Sequence, residues 1–208
     1  MSLKQEEKTE HNIPEENEIE NKPIRLKNYV EEASDKDIRK ILDYLFDERN
    51  NSQKISLGIA SFIVSPGIMI LGAGLSYYIP DSISMFIAFG GLFGFIALGV
   101  YLSVKYGDAS KHNLSKLERI FINEGIKDYI EEVKENNRPE LNRKSAIGIA
   151  LCILSPLFAM IPAFFNISEL WILVGLFLMF IDIAAGVYLI VSSSMINGIF
   201  RRILRYEK

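Results

Sequence analysis

The sequence predicts an all-α integral membrane protein: four transmembrane helices, arranged as two tandem parallel-repeat hairpins with cytoplasmic amphipathic helices. Three observations lead there. The apolar residues gather in four blocks, 55–79, 83–104, 145–165 and 170–192, and the only charged residue in any of them is Asp182. Blocks of 21 to 25 residues match the length a helix needs to cross a bilayer, because a hydrocarbon layer of about 30 Å takes about 20 residues at a rise of 1.5 Å. All 23 Lys and Arg lie outside the blocks. The third observation is that the second half of the chain restates the first.

Lys54-Ile-Ser-Leu-Gly58-Ile59-Ala60, followed by Ser65-Pro66, recurs as Lys144-Ser-Ala-Ile-Gly148-Ile149-Ala150, followed by Ser155-Pro156, at an offset of 90. Gly99-Val100-Tyr101-Leu102 recurs as Gly186-Val187-Tyr188-Leu189 at an offset of 87. Asp43-Tyr44-Leu45 has an echo in Asp128-Tyr129-Ile130, which extends the repeated unit to a helix ahead of each hairpin. Each copy has two spans and so enters and leaves on one side. The copies are therefore parallel rather than inverted, and inverted repeats are the stronger signature of a transporter.

Taken in order, residues 1–30 form an acidic tail, with seven Glu and two Lys in the first twenty positions. That composition buries too little surface to offset chain entropy and predicts disorder. It also lacks the charged-then-apolar pattern of a cleaved leader. Residues 31–53 read as a cytoplasmic amphipathic helix. Ser34 is its N-cap, and Ile38, Ile41, Leu42, Leu45 and Phe46 share one face. Membrane hairpin 1 follows over 54–104. The segment 105–144 is a cytoplasmic helical stretch with stripes at Leu114, Leu117, Ile120, Phe121 and at Ile126, Tyr129, Ile130, Val133, separated by Gly125. Hairpin 2 spans 145–194. Residues 195–208 form a basic amphipathic helix in which Ile196, Ile199, Phe200, Ile203 and Leu204 lie beside Arg201, Arg202 and Arg205. That stripe suits either the anionic membrane surface or packing on the other cytoplasmic helices.

The basic residues also set orientation. Pro80-Asp81-Ser82 and Asn166-Ile-Ser-Glu169, the connections within the hairpins, carry no Lys or Arg, whereas Lys54, Lys105, Arg143, Lys144, Arg201 and Arg202 flank the opposite ends. The positive-inside rule places both termini and the central segment in the cytoplasm. Tyr77, Tyr78 and Trp171 sit where outer-interface anchors belong.

Few residues carry chemistry. Pro66 and Pro156 each lack an N–H and so leave free the carbonyl four residues back, those of Phe62 and Cys152. Ser65 and Ser155 can donate backwards and ease the resulting kink. Both pairs lie about 15 Å from the cytoplasmic end of their helices. Asp182 counts to a similar depth, and a carboxylate there costs about 2.5–3.5 kcal/mol, so it should face protein or water. Its two readings are an interhelical hydrogen bond, with Ser155 or the freed carbonyl as partner, and an ion or proton site. The matching position in the first copy is Phe95. Gly90 and Gly94 form a Gly-x-x-x-Gly that permits close helix packing, within the chain or between two copies.

No metal or cofactor is expected. Cys152 is the sole cysteine, His11 and His112 are far apart, and there is no glycine-rich phosphate loop. Nucleic-acid binding is not expected either, because the tail arginines are few and held at the bilayer. The anticipated partners are the lipid bilayer and either a second protein or further copies of the chain.

Gly148-Ile-Ala-Leu-Cys-Ile-Leu-Ser-Pro156 and the trailing Gly-Val-Tyr-Leu resemble a group of Gram-positive bacterial membrane proteins. Such a hairpin also looks like the C-terminal membrane part of helix-turn-helix regulators of the phage-repressor type. The likeness covers 54–104 and 144–206. Residues 1–53 read as a disordered tail and one clear helix, too little for that DNA-binding domain. The resemblance implies a bacterial inner-membrane location and a regulatory setting without DNA binding. The expectation is a non-enzymatic accessory, sensor or regulatory protein. The alternative is a small oligomeric transporter or channel using Asp182 and the Ser-Pro kinks.

Overall fold

The structure, a computed structural model, describes residues 36–117, 124–165 and 168–204. Ser34, Ile120, Phe121, Arg205 and the acidic tail lie outside them. The described chain is all-helical: α1 (Lys36–Gly74), a 3-10 turn (Leu75–Tyr77), α2 (Asp81–Leu117), α3 (Glu124–Leu154), α4 (Pro156–Phe164) and α5 (Glu169–Leu204). Four helical stretches, with α3 and α4 together counted as one, are long and apolar enough to cross a membrane.

The boundaries drawn from sequence at 53/54, 104/105, 144/145 and 194/195 all fall inside continuous helices. Polarity changes at these points but backbone geometry does not, since nothing there interrupts the hydrogen-bond ladder. Even Pro139 is accommodated within α3.

The helices form a row. α1 packs on α2 along one face and on α5 along another, and α5 in turn packs on α3 and α4. α2 and the α3–α4 pair occupy the two ends of the row and share no extensive contact among the described residues. The outward faces present Phe86, Phe93, Ile153, Met160 and Phe164 to the surroundings, each more than 60 % exposed. Large apolar side chains exposed in this number along the spans fit hydrocarbon better than water.

The main buried core is not between the apolar spans. It lies where the polar ends of three helices meet: Ile41, Leu42 and Leu45 of α1, Ile126, Ile130 and Val133 of α3, and Ile196, Ile199, Phe200 and Ile203 of α5. Ile41, Leu42, Ile130, Val133 and Phe200 are fully buried. The stripe at the end of α5, for which sequence left two surfaces open, is therefore covered by the helix ends of α1 and α3. Arg201 and Arg202 remain exposed on its other side.

Candidate functional site

The polar positions fall into two zones, one within the apolar spans and one at the basic end of the molecule. In the first zone, Ser65 Oγ donates to the carbonyl of Phe62 at 2.8 Å. That is the carbonyl Pro66 leaves without an N–H, so the hydroxyl replaces the missing donor. Ser155 Oγ donates to the carbonyl of Cys152 at 3.0 Å in the same way. Both serines are buried.

The two prolines nevertheless differ in effect. Pro66 sits inside the unbroken α1, whereas Ser155 is a turn residue that separates α3 from α4. Beyond the break, α4 carries a second proline, Pro162, and packs on α5 at Gly175. The carbonyl of Phe158, four residues before Pro162, lies against Gly175 of α5 so closely that a β-carbon there would collide with it. Phe158, Ile161, Pro162, Trp171, Val174 and Leu178 then line an open apolar cleft between α4 and α5.

Asp182 is half-buried and makes no hydrogen bond or ion pair with a described residue. The partners foreseen for it are occupied: Ser155 takes the Cys152 carbonyl, and the Cys152 thiol approaches the carbonyl of Ile183 at 3.9 Å. Asp182 therefore shares a helix with Gly186, one turn away, without joining the Ser155–Pro156 group by a hydrogen bond.

Close helix approach occurs at glycines other than the pair singled out by spacing. A β-carbon on Gly90 or Gly94 would meet nothing within 4 Å. Neither glycine makes a close contact within the chain, since α1 meets α2 on a different face, so of the two readings given by their spacing contact between copies is the one left open. The contacts lie at Gly58 with Gly99, and at Gly148 with Gly186, where each glycine faces the other's carbonyl oxygen. Further along the first hairpin, Ser84 Oγ donates to the Gly72 carbonyl at 2.5 Å.

At the basic end, Tyr44, Glu48, Ser52 and Ser56 follow one another at every fourth residue on α1, and all are buried. Ser56 Oγ donates to the Ser52 carbonyl at 2.7 Å. Burial, reinforced by the Glu48 carboxylate, pushes the Tyr44 phenol up to about 12, against a smaller opposing pull from Arg202. Glu140 of α3 receives Lys144 and also Arg49 of α1, the latter at 3.8 Å. Sequence reading missed this polar stripe. Its signal was the four-residue spacing beside the apolar Ile41–Leu45 face.

Two lysines close the picture. Lys54 Nζ lies 4.4 Å from the centre of the Tyr106 ring. Lys105 Nζ lies 5.6 Å from the same ring and donates to Tyr101 Oη at 2.8 Å. Among the described residues no group of three or more His, Cys, Asp or Glu side chains could hold a metal ion. No family model, curated protein or solved structure matches this chain.

Proposed function

We propose that the chain is a non-enzymatic bacterial inner-membrane protein, an accessory, sensor or regulatory component that acts through its cytoplasmic helix ends. In this reading its four spans are two tandem parallel copies of one hairpin, with both termini and the central segment in the cytoplasm. The observation that carries it is the buried core shared by the ends of α1, α3 and α5. Each of those helices runs without a break from the core into an apolar span. A continuous helix behaves as a stiff rod, so a shift of α1 against α5 in the bilayer moves the cytoplasmic head directly. The charged outer surface of the head, with Lys40, Glu131, Glu132, Arg201 and Arg202 exposed, suits a protein partner.

The duplication draws support from the glycine contacts. Gly58 and Gly99 meet as Gly148 and Gly186 meet, at the offsets of 90 and 87 seen in the sequence. The basic residues gathered at one end support the orientation. The likeness of the Gly148–Pro156 stretch to Gram-positive membrane proteins supports the bacterial setting.

Affinity purification from native membranes in a gentle detergent tests the reading. A stoichiometric partner should accompany the wild-type chain and be depleted when Arg201 and Arg202 are both changed to Glu. A chain recovered alone, or a partner retained equally by the charge-reversed variant, would overturn it.

A further inference from the structure

We propose that the cytoplasmic end of the first hairpin is a binding site for the phosphate of an anionic phospholipid, held by Lys54 and Lys105 and framed by Tyr101 and Tyr106. The proposal rests on the orientation argued above, which puts these residues at the inner leaflet.

The geometry brings two like charges together. The ammonium groups of Lys54 on α1 and Lys105 on α2 both approach the Tyr106 ring, at 4.4 and 5.6 Å from its centre. Lys105 Nζ also sits 5.1 Å from the Tyr101 ring while donating to its hydroxyl. Neither lysine is in an ion pair among the described residues, and both are exposed. Two ammonium groups drawn onto one ring repel each other, and an anion between them removes that cost. The aromatic faces hold the cations in place without neutralising them.

The second hairpin shows what the same position looks like when it is closed. Lys144, the counterpart of Lys54, is taken by Glu140. The residue 90 positions before Glu140 is Asn50, so the first copy has no such acid. The residues 87 positions after Lys105 and Tyr106 are Ser192 and Ser193, both buried. One copy therefore keeps its lysine paired with a carboxylate, and the other leaves two exposed ammonium groups side by side.

The surroundings favour a lipid over a free phosphate. Leu57 and Val104 lie within one turn of these lysines toward the apolar spans and Val100 within two, and each is about half exposed or more. They offer a track for acyl chains beneath a headgroup held by the lysines. Tyrosine rings and the apolar stems of lysine are suited to the same interfacial depth.

The test uses the full chain in a neutral detergent, with bound lipid read by native mass spectrometry and melting temperature at constant ionic strength. Phosphatidylglycerol should bind saturably and about thirtyfold more tightly than phosphatidylcholine, because each of the two lysines contributes about 1 kcal/mol near an anionic lipid and about 1.4 kcal/mol is tenfold. The double change Lys54→Gln with Lys105→Gln should abolish that preference, Lys54→Arg with Lys105→Arg should restore it, and Lys144→Gln should leave it intact. Both lysines are exposed, so a monodisperse glutamine variant is expected and would be checked first by gel filtration. Should it fail that check, Tyr106→Leu provides the second arm and should weaken the preference. Equal binding of the two lipids, a preference unchanged in the glutamine variant, or full competition by equimolar inorganic phosphate would each overturn the proposal. Labelling of a cysteine placed at Asp108 from outside intact cells, in a Cys152→Ser background, would overturn the orientation. The lipid preference in detergent would stand or fall separately.

Discussion

Gly148 and Gly186 meet backbone to backbone: a β-carbon built on either glycine lies 2.6 Å from the carbonyl oxygen of the other. Gly58 and Gly99 make the corresponding contact in the first hairpin at 3.0 and 2.8 Å. Real β-carbons essentially never come within 3.0 Å of another heavy atom in this way, so each hairpin is closed at a glycine where its repeated motifs cross. Absence of a side chain is what lets the helices approach this closely.

Gly148→Leu or Gly186→Leu should therefore lower stability by at least about 1–3 kcal/mol, the usual cost of forcing bulk into a packed site. Gly90→Leu should cost much less, because that position faces open space. Thermal unfolding in detergent, read by gel filtration, compares the three. A Gly90→Leu loss equal to that of Gly148→Leu would point to a contact between copies through α2.

Which glycines pack was only partly legible in the sequence. Gly58, Gly99, Gly148 and Gly186 stood out as repeated letters, but repetition alone does not say which face meets which. Gly90 and Gly94 had the favoured spacing, yet the row arrangement turns them outward. Periodicity assigned Ile196, Phe200 and Ile203 to one face of α5 without revealing that α1 and α3 cover it, since that depends on the sequence-distant convergence of three helix ends. The four spans were fully legible because charge is absent from long blocks. The difference between Pro66 and Pro156 was not, because the two Ser-Pro pairs read alike locally and differ in the packing around them, such as the Phe158 carbonyl against Gly175.

Phe200 anchors the three-helix head with no exposed surface. Phe200→Ala should cost about 3–5 kcal/mol, as for a large side chain removed from a closed core. The head should then open to trypsin at Arg201 and Arg202 at lower temperature. Phe93→Ala, at a position 63 % exposed, serves as the control and should leave the melting profile nearly unchanged. Equal sensitivity of the two variants would mean that the head does not carry the stability assigned to it.

Pro156→Ala should straighten the junction between α3 and α4, because it restores an N–H that can reach the Cys152 carbonyl. Spin labels at Ile147 and Phe164 would then move apart, and the packing of α4 on α5 would loosen. Pro66→Ala should change little in shape, since α1 is already continuous there. An unchanged distance after Pro156→Ala would assign the break to the α4–α5 contact alone.

Asp182 supplies the last prediction. A half-buried carboxylate in an apolar span, without a hydrogen bond or ion pair to a described residue, carries a desolvation cost of a few kcal/mol that nothing in the described structure offsets. Asp182→Asn keeps the shape and removes the charge. Its melting temperature should therefore equal or exceed that of the wild type. A loss of more than about 1 kcal/mol would instead indicate an interhelical hydrogen bond that needs the carboxyl group. The same variant separates the two functional readings. If the chain moves protons or cations, flux into liposomes should fall sharply in Asp182→Asn, because no other carboxylate and no Lys, Arg or His lies within the four apolar blocks. Flux that survives the change would exclude Asp182 from transport and favour the proposal that the three-helix head is the part of the molecule that acts.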